Sequence, residues 1–361
     1  MENFTEKVPK GQEKHFISIY LKLMFIVYEP IVISIGLIGN LLIIVTMPRK
    51  SVTIAPTIKF YYLAIAIADF IDIINSWFLW VILSDTLNIL TGGQYSIDLV
   101  TMNDFTCKVM VLVWAISEIF SDYALTAMTI EMLVALYLPL KSKTILTKKF
   151  TILLLSITIL PMWAAVLPFV PFVSNIQNNP GSSATGQHCT RDRAHPLYNY
   201  YVVAFNVVMN VIHEVVNSIL IIFLIVGILK SYRNRRSLTD SKTAHFSSFP
   251  NAPIILFLML LINSIVFLPN FVFQLIYYMI QLKDETILVT IGNLGRFFAD
   301  MIVIAHSLNF FVYYWRIQTF RLAINNLCIS CSKFNRNYTQ VHTAPATLLQ
   351  TISIELAVTH R

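Results

Sequence analysis

The sequence predicts an all-α membrane protein, a seven-transmembrane-helix bundle, and three observations carry that prediction. The 361 residues are 56% hydrophobic and only 12% charged, with a mean hydropathy of +0.68, whereas a soluble domain is nearer half apolar and a quarter charged. Apolar stretches near the ~20 residues needed to span a bilayer run over about 25–48, 58–83, 107–138, 150–174, 199–229, 253–281 and 286–314. The connections alternate in charge. The first, third and fifth hold Arg49, Lys50 and Lys59; Lys141, Lys143, Lys148 and Lys149; then Lys230, Arg233, Arg235, Arg236 and Lys242. The others hold chiefly Arg191, Arg193 and Lys283.

By the positive-inside rule the basic connections are cytoplasmic, so the N-terminus lies outside and the tail inside. The net charge of +7 then reports topology and does not call for a nucleic-acid partner. Residues 1–24 read as an extracellular N-terminus without a signal peptide, and Asn3-Phe4-Thr5 is a glycosylation sequon suited to that side.

The third segment, Cys107 to about Pro139, has no Gly or Pro before its end. It carries Glu118, Ser121, Asp122 and Glu131, groups too costly to face lipid, so it belongs in the middle of the bundle. Segment two carries Asp69 and Asp72, segment five Glu214, and segment seven an i,i+4 pair, Arg296 and Asp300. Glu118 and Asp122 are one turn apart and share a face. So many intramembrane charges suggest a polar outer cavity; internal ion pairing that only holds helices together is the plainer alternative.

Cys107 falls at the outer end of segment three and Cys189 in the second outer loop, whose Asn178-Asn179-Pro180-Gly181 reads as a turn. Both are on the oxidising side, so a disulfide is expected. Cys328 and Cys331 lie inside, past the last segment, and are palmitoylation candidates.

Local motifs add a resemblance. Gly39-Asn40 sits mid-segment one, and Leu63-Ala64-Ile65-Ala66-Ile67-Ala68-Asp69 ends segment two's pattern in an aspartate. Trp163 is followed by Pro168; Phe267-Leu268-Pro269 resembles the end of CWxP; Asn309-Phe310-Phe311-Val312-Tyr313 resembles NPxxY; Phe320-Arg321 follows. In order and spacing, over about residues 25–331, the chain resembles a rhodopsin-like (class A) G-protein-coupled receptor. The resemblance implies a plasma-membrane protein with a bundle over 25–314, a short amphipathic eighth helix over 315–331, and a cytoplasmic tail over 332–361. It implies no enzymatic activity, an extracellular ligand, a heterotrimeric G protein, arrestin and membrane lipids as partners, and a switch built on Glu131, Met132, Pro269 and Tyr313.

The departures are specific. Where the family has Asp/Glu-Arg-Tyr, this chain has Glu131-Met132-Leu133. Met132 has neither the charge nor the forked donors of the expected arginine, which puts ordinary coupling in question. The helix-five proline is absent, and Phe310 stands for the helix-seven proline.

The resemblance also implies that Asp69, Ser121 and Asn309 could join around a sodium ion, the sole cofactor to consider. Ala305 and His306 replace the usual flanking Asn-Ser pair, and a hydrogen-bonded core without an ion is the alternative. Trp114 stands where aminergic receptors carry their aspartate and Val303 where opsins carry the retinal lysine, which argues against both ligand types. Trp114, Phe267 and Phe271 form an aromatic wall, with Glu118, Glu214 and Arg296 as charged ligand-binding candidates. A long second outer loop with two arginines resembles peptide receptors, so a neuropeptide is the favoured ligand. Two other readings compete: a scavenger or arrestin-biased receptor without conventional coupling, and a transporter. Internal repeats and interrupted helices, common in transporters, are not evident.

Overall fold

A computed structural model describes residues 27–92, 95, 102–178, 187–191, 195–198, 200, 204, 211–239, 251–279 and 302–327. Helix α1 spans Glu29–Thr46 and α2 spans Pro56–Asp72, each with proline in its first turn, where a missing N–H costs nothing. The α2 backbone widens into π-helical turns over Ile73–Thr86. Helix α3, Asp104–Tyr137, starts at Asn103, whose side chain accepts from the Thr106 N–H at 2.9 Å. It stops at Leu138, whose helical backbone is disfavoured by Pro139. Helix α4 spans Lys148–Val166, capped by Thr147, and continues through a 3₁₀ turn, Leu167–Phe169, into Val170–Val173. Pro168 and Pro171 cannot supply helical N–H groups, which accounts for the irregular end.

Helix α5 spans His213–Thr239, α6 spans Asn251–Met279 with Pro269 inside it, α7 covers 302–316 and α8 covers 318–327. The basic run Lys230–Arg236, expected as a loop, is a continuation of α5. Nothing in it breaks a helix, and Lys and Arg are good helix formers. In α8, Phe320, Ala323 and Ile324 are buried while Leu322 and Asn325 are exposed, so its apolar stripe docks on the bundle as expected.

Among the described residues, Glu29–Thr46, Asp104–Tyr137, Lys148–Phe172 and His213–Arg233 are long and apolar enough to span a membrane, with Pro253–Pro269 a shorter apolar helix. The spanning window of α3 is 67% buried, against 22% for those of α4 and α5. Helix α3 touches α2, α4, α5 and α6, so the helix rich in intramembrane acids is the central one. Ile38 on α1, Ile157 on α4 and Ile222 on α5 are exposed apolar residues on the outside of the bundle. Close approaches use glycine: a Cβ at Gly39 would collide with Phe310 of α7, and Gly227 lets Leu136 and Tyr137 of α3 lie against α5. The Tyr137 hydroxyl donates to Phe223 O at 2.9 Å across that contact.

Beyond the helices, the connection between α4 and α5 holds an antiparallel hairpin, β1 (Ser174–Asn178) and β2 (Gln187–Arg191). The sequence marked only its turn. Cys107 and Cys189 form a disulfide with Cα atoms 5.7 Å apart. Cys189 pairs in register with Ile176, whose N–H donates to Asp104 Oδ1 at 3.0 Å. The hairpin is thus fixed to the first turn of α3 twice, through adjacent strands.

Removing the covalent attachment leaves, among the described residues, packing contacts and the Ile176–Asp104 hydrogen bond, worth about 1 kcal/mol, to hold the hairpin on α3. Cys107→Ser is therefore expected to lower surface expression strongly, and Asp104→Ala only slightly. An N-terminal tag read on unpermeabilised cells measures both. Equal surface levels for Cys107→Ser and wild type would contradict this attachment.

Candidate functional site

Asp69 is fully buried on α2, midway through an apolar helix. An unsatisfied carboxylate there would cost several kcal/mol. Three side chains satisfy it. Ser121 Oγ of α3 donates to Oδ1, His306 Nδ1 of α7 lies 2.8 Å from the same oxygen, and Asn309 Nδ2 of α7 donates to Oδ2 at 2.7 Å. An ionised carboxylate only accepts, so Nδ1 carries the proton in this contact. The His306 carbonyl in turn accepts from Asn40 Nδ2 of α1 at 3.2 Å. Four helices, α1, α2, α3 and α7, meet at one carboxylate.

The structure brings together Asp69, Ser121 and Asn309. His306 completes the group, and it bears on the ion. A hard cation requires oxygen ligands. Here both carboxylate oxygens are engaged by protein donors, and an imidazole occupies one of the positions beside Oδ1. These residues do not fit a sodium ion, and no step below runs through one.

Helix α3 carries Ser117 and Glu118 one turn before Ser121, and Asp122 directly after it, all buried. Ser117 Oγ is 3.5 Å from Asp72 Oδ1. Asp122 is 1% exposed, yet neither carboxylate oxygen has a hydrogen-bond partner. Asp69, Asp72, Glu214 and His306 are close enough to act on it electrostatically. On α5, Glu214 is buried with Oε1 unpartnered.

Two residues in this region were missed by sequence reading. Asn217 Nδ2 donates to His213 Nε2 at 2.8 Å, and Asn217 Oδ1 accepts from Thr126 Oγ1 of α3 at 3.2 Å. His213 also packs against Tyr123 and Phe267, with centroids 5.8 and 5.6 Å away. The i,i+4 pair of polar residues beside Glu214 was the available signal. Phe267 is 2% exposed and wedges between α5 and α6. Trp114 is half-buried and packs on the core. The side chain of Phe271, and all of Arg296, Asn3, Cys328 and Cys331, lie outside the described residues.

At the opposite end of α3, Glu131 Oε2 accepts from Thr151 Oγ1 of α4 at 2.9 Å. Met132 is buried in the apolar core, which no arginine could enter uncompensated. Tyr313 of α7 is fully buried and packs its ring on Tyr62 of α2, with centroids 4.3 Å apart. Pro269 sits inside α6 just past Phe267, where it deletes one backbone hydrogen bond and makes a ready bend.

A central polar seam through a bundle of membrane-length helices, with a disulfide tying a loop to the start of α3 and an amphipathic helix after the last span, defines a multi-pass membrane receptor of the seven-helix class. The family described as 7 transmembrane receptor (rhodopsin family) matches residues 39–331. The chain belongs to that family and is a receptor, not an enzyme. No curated protein matches its sequence.

Removing the Asp69 acceptor would strand three donors in a water-poor core. Asp69→Ala is expected to cost about 3–5 kcal/mol, read as a large drop in the unfolding temperature of the purified receptor. Exchanging sodium for N-methylglucamine is expected to leave that temperature unchanged in the wild type. A sodium-dependent rise that Asp69→Ala abolishes would place an ion here and overturn the closed donor set.

Proposed function

We propose that this receptor binds an extracellular peptide carrying a basic group and passes the signal to a heterotrimeric G protein. The observation that carries this reading is the buried Asp122 carboxylate, unpartnered at both oxygens, with Glu214 near it. A buried carboxyl group among other acids favours its neutral form, and a cation placed beside it is what favours the ionised one. His306 already serves Asp69, so a ligand ammonium or guanidinium is the natural complement. At ~1.5 Å per residue, Asp122 lies roughly 22 Å along α3 from Cys107. A long, flexible ligand reaches that depth more readily than a compact one. The pinned hairpin favours a peptide as well, because a two-stranded sheet has open edges to which an extended chain can add.

The orientation follows the charge alternation, with hairpin and N-terminus outside and the basic ends of α3 and α5 facing the cytoplasm. Signal transfer would run from the Asp122 layer through Phe267, which touches His213, to the bend at Pro269, moving α6. Met132 keeps open a second reading, a receptor that recruits arrestin or internalises ligand without activating G protein.

The experiment is a peptide library applied to cells bearing the wild type or Met132→Arg at matched surface levels. G-protein dissociation and arrestin recruitment are read together. Active peptides are expected to contain Lys or Arg. Asp122→Asn and Glu214→Gln are each expected to raise the half-maximal concentration by about tenfold or more, because unpairing a buried charge costs 2 kcal/mol or above. Potency independent of the peptide's basic residue, or unaffected by both variants, would contradict the cationic ligand. G-protein activation appearing only in Met132→Arg would favour the second reading.

A further inference from the structure

A cavity lies at the other end of α3, away from the proposed peptide site. It has a volume of about 430 Å³ and lies where α2 begins, α3 ends and α4 begins, within the ~300–1,000 Å³ range of small-molecule sites. Its apolar lining includes Met128, Met132 and Ala135 from α3 and Ile58 from α2; Thr57, Ser142 and Lys148 also line it, and its two buried polar side chains are Tyr61 and Glu131. Both are buried, at 0% and 3% exposure. The second Glu131 oxygen, Oε1, and the Tyr61 hydroxyl face one another closely enough to interact, and neither has a further partner in hydrogen-bond geometry. Thr151 satisfies only Oε2. The next side chain along α3 is the thioether of Met132, which donates nothing. Lys148 lines the mouth but is exposed. A buried carboxylate oxygen without a donor is a rare and costly feature of a folded protein.

We propose that this cavity binds an amphiphile with an apolar body and a primary ammonium head. The apolar body fills the space among Met128, Met132 and Ala135. The head donates one N–H to Glu131 Oε1 and a second to the Tyr61 hydroxyl oxygen, and the carboxylate neutralises its charge. An anionic head is disfavoured beside Glu131, because the two like charges would repel. The two methionines suit an apolar body of variable shape, since unbranched thioether chains repack easily. Occupancy would bridge α2 and α3 at the end where α3 stops, so the amphiphile would act on the receptor's inner face.

The test uses the full-length receptor in lipid nanodiscs and, as probe, dodecylamine bearing a diazirine at its chain end. After photolysis, labelled peptides are mapped by mass spectrometry. Labelling is expected on the segment from Met128 to Ala135. Excess dodecylamine is expected to remove it, and the same concentration of dodecanoate to leave it. Glu131→Gln is expected to lower labelling of this segment by about tenfold or more, the worth of a charge-assisted hydrogen bond. Labelling of lipid-facing residues such as Ile157 should stay unchanged, which also reports that the variant is folded. Ala135→Phe, which fills the cavity and keeps the acid, is expected to abolish labelling of the segment. Equal competition by dodecylamine and dodecanoate in the wild type would overturn the proposal without reliance on any variant. Absence of labelling on the segment, or labelling indifferent to Glu131→Gln, would overturn it as well. These readouts need no peptide agonist, so they stand apart from the peptide reading.

Discussion

The bundle depends on one buried carboxylate. Asp69 lies on α2 at a depth where no bulk water relieves it, and its lone pairs draw Ser121 from α3 and His306 and Asn309 from α7 to one point. Each of those donors is also buried, so each needs the carboxylate as much as it needs them. Apolar packing cannot supply this specificity, because lipid is as apolar as a leucine and does not by itself drive helices together. The small residues then set how closely the helices approach: Gly39 allows Phe310 against α1, and Asn40 of the same turn reaches the His306 carbonyl. Packing and polar satisfaction therefore converge on the same stretch of α7.

Helix α3 extends that constraint along the whole receptor. Its outer turn holds the hairpin, its waist holds Ser121 and Asp122, and its other end holds Glu131. At ~1.5 Å per residue its 34 residues span roughly 50 Å, longer than the hydrocarbon core is thick. A single rigid element thus contacts both aqueous faces. The seam along it is electrostatically lopsided: acids dominate, and among the described residues His306 is the basic side chain hydrogen-bonded to an acid there, while His213 bonds the neutral Asn217. That imbalance, more than any aromatic wall, distinguishes this interior from a merely structural polar core.

Much of this was legible in the sequence, for a physical reason. Polar residues in an apolar span are rare enough that each one signals a buried contact, so Asp69 and the central place of α3 could be read directly, while Ser121 and Asn309 were joined to Asp69 only through the family resemblance. The cysteine pair was legible because charge alternation put both on one side. The role of His306 was not, since its number and neighbours do not say whether the ring donates to Asp69 or turns away. His213 and Asn217 were hidden because their partner, Thr126, is on another helix, and a threonine in an apolar run ordinarily bonds its own backbone. The length of α5 was misjudged because a basic run marks the side of the membrane but not the end of the helix. The hairpin was invisible beyond its turn because five-residue strands held by a disulfide and a side chain need little intrinsic propensity.

Met132 changes what the inner end of α3 can do. An arginine at that position would lie beside Glu131 and could satisfy it internally. With a thioether there, Glu131 leans on Thr151 with one oxygen and is left open with the other. Asp122 at the waist has the same character, a buried acid short of donors. Two such sites on one continuous helix need not act separately. Any cation bound at one site that shifts α3 against its neighbours changes the free energy of binding at the other, and the coupling is equal in both directions. Helix α3 is built to carry such a shift. It packs against α2, α4, α5 and α6, and no glycine or proline within it absorbs a displacement locally. Loss of the arginine then has a specific meaning: it moves the requirement for positive charge from the chain to whatever binds it.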